Sequence, residues 1–366
     1  MKIKILFFIG TLGSGGKERR LLELLTFLSP KNHYELVLVT KKSEVLFKNF
    51  FDLNVKWISL KSPKLKLGSF GEFKEIVKSE KPQIIHTWGS KQTLVALYSI
   101  IFQQKIKLVN SQITSAPPKI TLMERLISRL NFHFSSAVLA NSFAGINAFT
   151  PPLHKSKVIY NGLNFDRFKD LPNKNEIKKK YGLNKKFTLI MVASFSSNKD
   201  YLRFFKVGLE LNKLRDDTVF LGVGYYDKEN ERYYQDCLEL TKDYPNLKII
   251  PGCQEIEALV NVCDLGLLFS PNGEGLSNSI LEYMTLGRPV IANDAGGTKE
   301  IIQNNYNGYL VSDESPEEIA EMINKLLNDP NKMMEMGRRS EERIKSEFSL
   351  ERMGQEFETV YHSLLR

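Results

Sequence analysis

The sequence predicts an α/β protein made of two doubly wound, Rossmann-like lobes facing each other across a cleft. Three observations carry this expectation. Apolar runs of strand length alternate with amphipathic runs of helical length from end to end, the pattern of parallel sheets covered by helices. The alternation stops at Asn161-Gly162, crosses a polar, Lys-rich passage over residues 172–186, and then restarts. At 366 residues the chain also exceeds what one hydrophobic core usually supports.

In the first half, strands are expected at residues 3–9, 34–40, 55–58, 84–86, 107–111, 137–140 and 157–160. Helices are expected between them, at 16–28, 70–79, 93–102, 120–132 and 142–149. The opening MKIKILFFIG reads as a buried first strand rather than a secretory leader, because its apolar run is too short and no cleavage-type site follows. The apolar run 93–102 is about half a membrane span. In the second half, strands are expected at 187–192, 219–223, 247–250, 265–269, 289–292 and 309–311. From Ser315 onward the pattern is helical, with Pro316 near a helix start, Asp329-Pro330 as a break and a last amphipathic segment at 349–365. The expected domains are therefore 1–165 and 166–348, with a terminal helix at 349–366. Ligands of such sheets bind beyond the carboxyl ends of the strands.

Composition is that of a globular protein, 42% hydrophobic and 25% charged. The three cysteines, Cys237, Cys253 and Cys263, fall in no metal spacing and favour a reduced, cytoplasmic setting. Charge is polarised: residues 1–170 carry 26 Lys and Arg against 11 Asp and Glu, or +15, and residues 171–366 carry 25 against 31, or −6. A solvated basic face and attraction to an anionic surface both fit. Nucleic acid lacks the aromatic array or motif that would support it.

Residues 269–297, FSPNGEGLSNSILEYMTLGRPVIANDAGG, concentrate the candidate chemistry. Glu274 stands at the mouth of a helix and Glu282 one to two turns inside it, so both carboxylates face one cleft and suit hydroxyl pairs of a sugar or ribose. The N–H groups at the helix start suit an anion. The first βα turn, GTLGSGG at 10–16, lets backbone approach a phosphate, yet its spacing misses the dinucleotide fingerprint. The matching turn of the second half, ASFSSNKDYLRFF, sets Lys199 beside Ser194, Ser196, Ser197 and Asn198, a small cationic pocket suited to a diphosphate. A plain turn and a solvated lysine remain the bland alternatives. His86 ends a strand on the cleft side and is either functional or structural; Trp88 beside it either stacks on a sugar or packs. No Ser/His/Asp triad, Walker loop or Asp-x-Asp metal site occurs.

The stretch EGLSNSILEYMTLGRPVIANDAGGTKEII resembles the signature of the retaining glycosyltransferases of family four. GGKERRLLEL, KPQIIHTWGS, VLANSFAGI, VIYNGLNFDRF and MVASFSSNKDYLRFF extend the resemblance along the chain in order. It implies a GT-B fold, a donor held chiefly on the C-terminal lobe, an acceptor on the N-terminal lobe, and a last helix returning to the first lobe. By that resemblance Glu282 holds the ribose, Glu274 the donor sugar and Lys199 the diphosphate. Gly252 and Cys253 meet the base, Gly15 and Gly16 lie against phosphates and acceptor, and Gly275, Leu276 and Ser277 give N–H groups to the leaving phosphate. Glu274, Lys199 and His86 form the catalytic set.

The chain departs from the family pattern at Ser194, where many members carry Arg, leaving Arg203 as a substitute cation. It departs also near Gln112 and at Trp88, where many members carry His. The implied reaction is metal-independent, retaining transfer from a nucleotide diphosphate sugar, with UDP-sugar favoured, to a glycan or lipid-linked acceptor in lipopolysaccharide or exopolysaccharide synthesis. No cofactor is expected, and the setting is cytoplasmic or peripheral at the inner face of the plasma membrane. A sugar-nucleotide 2-epimerase and a non-catalytic nucleotide-sugar binder are the alternatives.

Overall fold

A computed structural model describes residues 2–13, 15–61, 67–101 and 105–366. The chain divides into two compact units, Met1–Asn164 with Phe348–Arg366, and Phe165–Glu347.

The first unit holds seven parallel strands, β1 (Ile3–Ile9), β2 (Tyr34–Thr40), β3 (Lys56–Ser59), β4 (Ile84–Thr87), β5 (Lys107–Ile113), β6 (Ala137–Ala140) and β7 (Ser156–Val158). Their order is β3-β2-β1-β4-β5-β6-β7, so the winding reverses between β1 and β4. Helices α1 (Gly16–Leu28), α2 (Leu67–Glu80), α3 (Ser90–Ile100), α4 (Leu122–Phe134) and α5 (Phe143–Phe149) cover the sheet. Coverage on both faces explains why β1 is apolar without alternation. Its odd residues Ile5, Phe7 and Ile9 join a core with Leu21 and Leu25, and its even residues Leu6 and Phe8 join another with Phe73 and Val77.

Helix boundaries follow the caps. α4 starts two residues later than the periodicity suggests because Thr121 and Glu124 form a reciprocal box: Glu124 N donates to Thr121 Oγ1 at 3.2 Å and Thr121 N donates to Glu124 Oε2 at 3.1 Å. The helix expected at 93–102 is displaced to α3, and Phe102 lies outside the described residues. The strand expected at 157–160 is the shorter β7.

The second unit repeats the plan with α6 (Lys174–Tyr181), β8 (Phe187–Val192), α7 (Tyr201–Leu214), β9 (Thr218–Gly224), α8 (Glu231–Thr241), β10 (Leu247–Pro251), α9 (Ile256–Val262), β11 (Leu265–Leu268), α10 (Asn278–Thr285), β12 (Val290–Asn293), α11 (Thr298–Ile301), β13 (Gly308–Val311), α12 (Pro316–Leu327) and α13 (Pro330–Glu347). Strand order is β10-β9-β8-β11-β12-β13, with the reversal between β8 and β11. α12 opens with Pro316 in its first turn and a capping box between Ser315 and Glu318, the start signal read from the sequence.

The last helix, α14 (Leu350–Leu365), belongs to the first unit. Leu163 N donates to Phe348 O at 2.8 Å and Leu350 N donates to Leu163 O at 3.1 Å, which docks the start of the helix beside the end of the first unit's main segment. Met353, Phe357, Val360 and Tyr361 then enter the core that holds Leu24 and Phe27. Each such burial contributes about 1.5–3 kcal/mol, so α14 is a constituent of that core. Gly354 permits the approach: a Cβ there would run into the Phe27 ring. Among the described residues no helix is long and apolar enough to cross a membrane.

Candidate functional site

In the second unit the winding reverses between β8 and β11, and the loops that leave those two strands carry most of the predicted residues. The loop after β8 is held from beneath. The buried Tyr201 hydroxyl accepts from Ala193 N at 3.0 Å and donates to Val223 O at 2.8 Å, while the Phe195 ring stacks on Tyr201 with centroids 4.0 Å apart. Ser194 stays exposed, its hydroxyl 3.3 Å from that of Ser196.

Two contacts lace this loop to the one after β11. Asp200 N donates to Phe269 O at 2.9 Å, and the Ser270 hydroxyl donates to Asn198 O at 3.0 Å. Ser270 N in turn donates to the Asn293 side chain at 2.8 Å, a strut from β12 that sequence reading missed. Lys199, just before the Asp200 cap of α7, is thereby turned onto the second loop. Its ammonium is ion-paired with the Glu274 carboxylate and lies 3.4 Å from the Ser270 hydroxyl. Burial pushes the Lys199 ammonium down to about 7, and the carboxylate against it acts in the opposite sense.

Glu274 is fixed through its backbone. Gly297 N donates to Glu274 O at 2.9 Å, and Gly296, at φ +59°, lies so close that a Cβ would overlap the Glu274 main chain. The Gly-Gly turn is thus the other half of the Glu274 loop. Gly275, the buried Leu276 and Ser277 lead into α10, where Ser277 is the N-cap residue but its side chain caps no N–H; its hydroxyl meets that of Ser279 at 3.0 Å. A helix start of this kind presents a partial positive charge of roughly half a unit.

Glu282 lies farther along α10, buried, with Oε1 accepting from Arg167 Nη2 at 2.7 Å. The same guanidinium donates to Glu257 Oε1 from Nε at 3.0 Å and from Nη2 at 2.6 Å. Arg167 stands 115 positions before Glu282 and escaped the sequence reading. At the end of β10, Gly252 takes a left-handed conformation beneath the Tyr225 ring, and its N–H donates to Gly224 O at 3.0 Å. The Cys253 thiol accepts from Glu255 N at 3.3 Å and lies 3.7 Å from the Tyr181 hydroxyl. Lys199, Glu274 and the start of α10 are brought together, whereas Gly252 and Cys253 occupy the outer strand of the same carboxyl edge.

Three expectations are corrected. Arg203 is no substitute cation, because its guanidinium donates to the carbonyls of Ser312 at 3.2 Å and Glu314 at 2.6 Å. His86 is fully buried in the first unit with both ring nitrogens engaged, Nδ1 with the Tyr361 hydroxyl at 2.8 Å and Nε2 with the Ser111 hydroxyl at 2.7 Å. Burial, with the Arg20 charge nearby, holds it well below the usual imidazole range. It is a neutral strut between β4, β5 and α14, not a group that meets substrate. Trp88 is likewise buried and packs 4.9 Å from His86, centroid to centroid. Gln112 bridges inward, donating to Ser128 Oγ at 3.0 Å and accepting from Asn131 Nδ2 at 2.8 Å. Gly15 and Gly16 open α1, with the Glu18 side chain folded back over Gly15. Among the described residues no three His, Cys, Asp or Glu side chains converge as metal ligands.

The same carboxyl-edge loops fall within a stretch that matches a recognised family. Residues 173–343 match the family described as Glycosyl transferases group 1. An uncharacterized glycosyltransferase of Methanocaldococcus jannaschii is 28% identical over 249 residues, covering 66% of this chain and 62% of that protein. The capsular polysaccharide biosynthesis glycosyltransferase CapM of Staphylococcus aureus is 27% identical over 209 residues, covering 56% of this chain and 54% of its own length. The chain therefore spans less than two thirds of either relative. HepE of Anabaena, solved with UDP and glucose, matches with a TM-score of 0.86 at 20% identity over 99% of this chain and all of that one, a likeness of fold: two Rossmann-like α/β domains of the GT-B class. Nearly all of the second unit, with the Lys199, Glu274 and Glu282 loops inside it, thus lies within the stretch similar to the glycosyl transferases group 1 family.

Proposed function

We propose that the chain transfers a sugar from a nucleotide diphosphate donor, a UDP-sugar by preference, to a hydroxyl of a glycan or lipid-linked acceptor in surface polysaccharide synthesis. The anomeric configuration is retained and no metal takes part. One observation carries the reading: Lys199, Glu274 and the start of α10 converge where β8 and β11 end, with Glu282 held behind them.

In the reaction the bond from the anomeric carbon to the β-phosphate oxygen breaks and the acceptor oxygen bonds to that carbon on the same face. The electron pair leaves with the diphosphate, whose oxygen takes the acceptor's proton. Charge gathers on the diphosphate as the bond breaks, and Lys199 with the N–H groups of Gly275, Leu276 and Ser277 opposes it; each preorganised donor of this kind supplies roughly 10²–10³ in rate. Lys199 leaves its pairing with Glu274 for the phosphate, which frees Glu274 to accept from hydroxyls of the donor sugar. Glu282, with Oε1 taken by Arg167, offers Oε2 to the ribose. Ser194 borders the diphosphate, and Gly252 and Cys253 border the base. Gly15 and Gly16 serve the acceptor side in the first unit. The basic first unit is drawn to the anionic inner face of the plasma membrane, where lipid-linked acceptors reside. CapM, by its name a capsular polysaccharide enzyme, and HepE, solved with UDP, support the choice of pathway class and donor.

A calorimetric screen of UDP-, GDP- and ADP-sugars tests donor binding. Lys199→Ala then tests the roles: turnover should fall by roughly 10²–10³ with the fold intact. Near-native turnover in that variant sinks the assignment.

A further inference from the structure

Helix α4 carries large apolar side chains on its outward face as well as on its inward one. Inward it turns Phe132, which packs with Ile113, Val138 and Ala140, together with Ser128 and Asn131, which are buried and joined to Gln112; Asn131 Nδ2 also donates to Ser90 O at 3.0 Å. Outward it turns charged side chains and a set of large apolar ones. Leu122, Met123, Leu126, Leu130 and Phe134 are between 45% and 73% exposed. Met123, Leu126, Leu130 and Phe134 recur at steps of three and four and form one stripe, and Arg125 and Arg129 stand four apart on the stripe beside it. Lys155 Nζ donates to His133 O at 2.9 Å, which ties a turn bearing the 81% exposed Leu153 to the end of the helix.

Arg125 and Arg129 also line a cavity of about 280 Å³ with Ser128, Asn147, Phe149 and Thr150. Neither arginine has a carboxylate partner among the described residues. The only carboxylate on α4, Glu124, is turned onto its own cap at Thr121. A cavity with two guanidiniums that have no carboxylate partner, two hydroxyls and an amide, beside an outward apolar stripe, matches a phosphate joined to hydrocarbon. A second copy of the chain is a poor occupant, because a two-fold contact on α4 would bring each arginine pair toward its counterpart. The surrounding sequence, +15 over residues 1–170, disfavours self-association in the same way.

We propose that α4 is the membrane-docking element of this chain: its apolar stripe lies in the interface of an anionic leaflet, and the Arg125–Arg129 cavity takes the phosphate of a lipid headgroup. The proposal rests on the reading that the first unit works at an anionic membrane; donor binding by the second unit is independent of it.

The test is co-flotation of the full chain with vesicles of equimolar phosphatidylglycerol and phosphatidylcholine, or of phosphatidylcholine alone, at low salt. The wild type should float with the anionic vesicles only. Arg125→Ala/Arg129→Ala should weaken partitioning about 30-fold, from about 1 kcal/mol per basic side chain near the surface. Leu126→Ser/Leu130→Ser should abolish flotation, and both variants should keep the wild-type thermal shift with a UDP-sugar. Flotation of both variants at the wild-type level overturns α4 as the site while leaving membrane attraction standing. Failure of the wild type to float overturns both. A thermal shift with inorganic phosphate that vanishes in the arginine variant, without flotation, makes the cavity a free-ion site and also overturns the proposal. So does a dimer in sedimentation velocity that Leu126→Ser/Leu130→Ser dissolves while vesicles go unbound. Loss of the UDP-sugar shift in the wild type refutes the donor reading alone.

Discussion

The state of Lys199 should make donor affinity depend on pH. Burial brings its ammonium down to about 7, so in the free protein it is charged below that value and neutral above it. A bound diphosphate favours the charged form and raises the value in the complex. Affinity is therefore full below about pH 7 and falls about tenfold per unit above it, until the raised value of the complex is reached. At about pH 9, two units above the free value, the loss is about 100-fold, or about 2.7 kcal/mol. A UDP-sugar is the right probe, because its diphosphate diester keeps its charge across this range. Calorimetry from about pH 6 to about pH 9, in two buffers of different ionisation enthalpy, reads both the affinity and the proton taken up. Lys199→Met should bind weakly at every pH, with no proton uptake. A wild-type affinity that stays level over that range refutes the reasoning.

Arg167→Gln should raise KM for the donor by roughly 10- to 100-fold, the loss of a charged hydrogen bond worth about 1.5–3 kcal/mol, with kcat changed far less; steady-state kinetics in which kcat alone moves would contradict a role through Glu282. His86 is held neutral in the folded chain, so an unfolded chain takes up a proton below about pH 6.5 that the native one refuses. The contribution is thus present above that pH and is lost as pH falls, with a slope of up to about 1.4 kcal/mol per unit; urea melts of wild type and His86→Gln should differ in that slope, and parallel curves count against it. Gly296→Ala meets both a left-handed conformation and the Glu274 backbone. It should cost about 1–3 kcal/mol of stability and weaken donor binding together, and a drop in melting temperature with unchanged donor affinity separates fold from site.

Much of the fold was legible because parallel strands covered on both faces are nearly uninterrupted apolar runs, and 137–140 and 187–192 coincide with β6 and β8. The Lys199 and Glu274 loops were legible for a local reason: polar turns after a strand and before a helix have few other uses. What stayed hidden is non-local. Arg167 reaches Glu282 across 115 positions, and no spacing rule connects them. His86 does end a strand where ligands usually sit, yet Tyr361, 275 positions later, reaches its ring from α14. For α4, periodicity located the helix but could not say which face turns inward; the buried Phe132 and the buried partners of Ser128 and Asn131 decide that.

The late arrival of α14 also sets an order of events during synthesis. The core around Leu24, Phe27 and Trp88 stays open until Met353, Phe357 and Tyr361 have emerged, although the strands beneath it end near Val158. The second unit, Phe165–Glu347, is contiguous and can close first. At roughly 5–20 residues per second, the first unit waits roughly ten seconds or longer with apolar side chains uncovered. A nascent chain arrested before Phe348 should therefore be cut by protease in its first half while its second half resists.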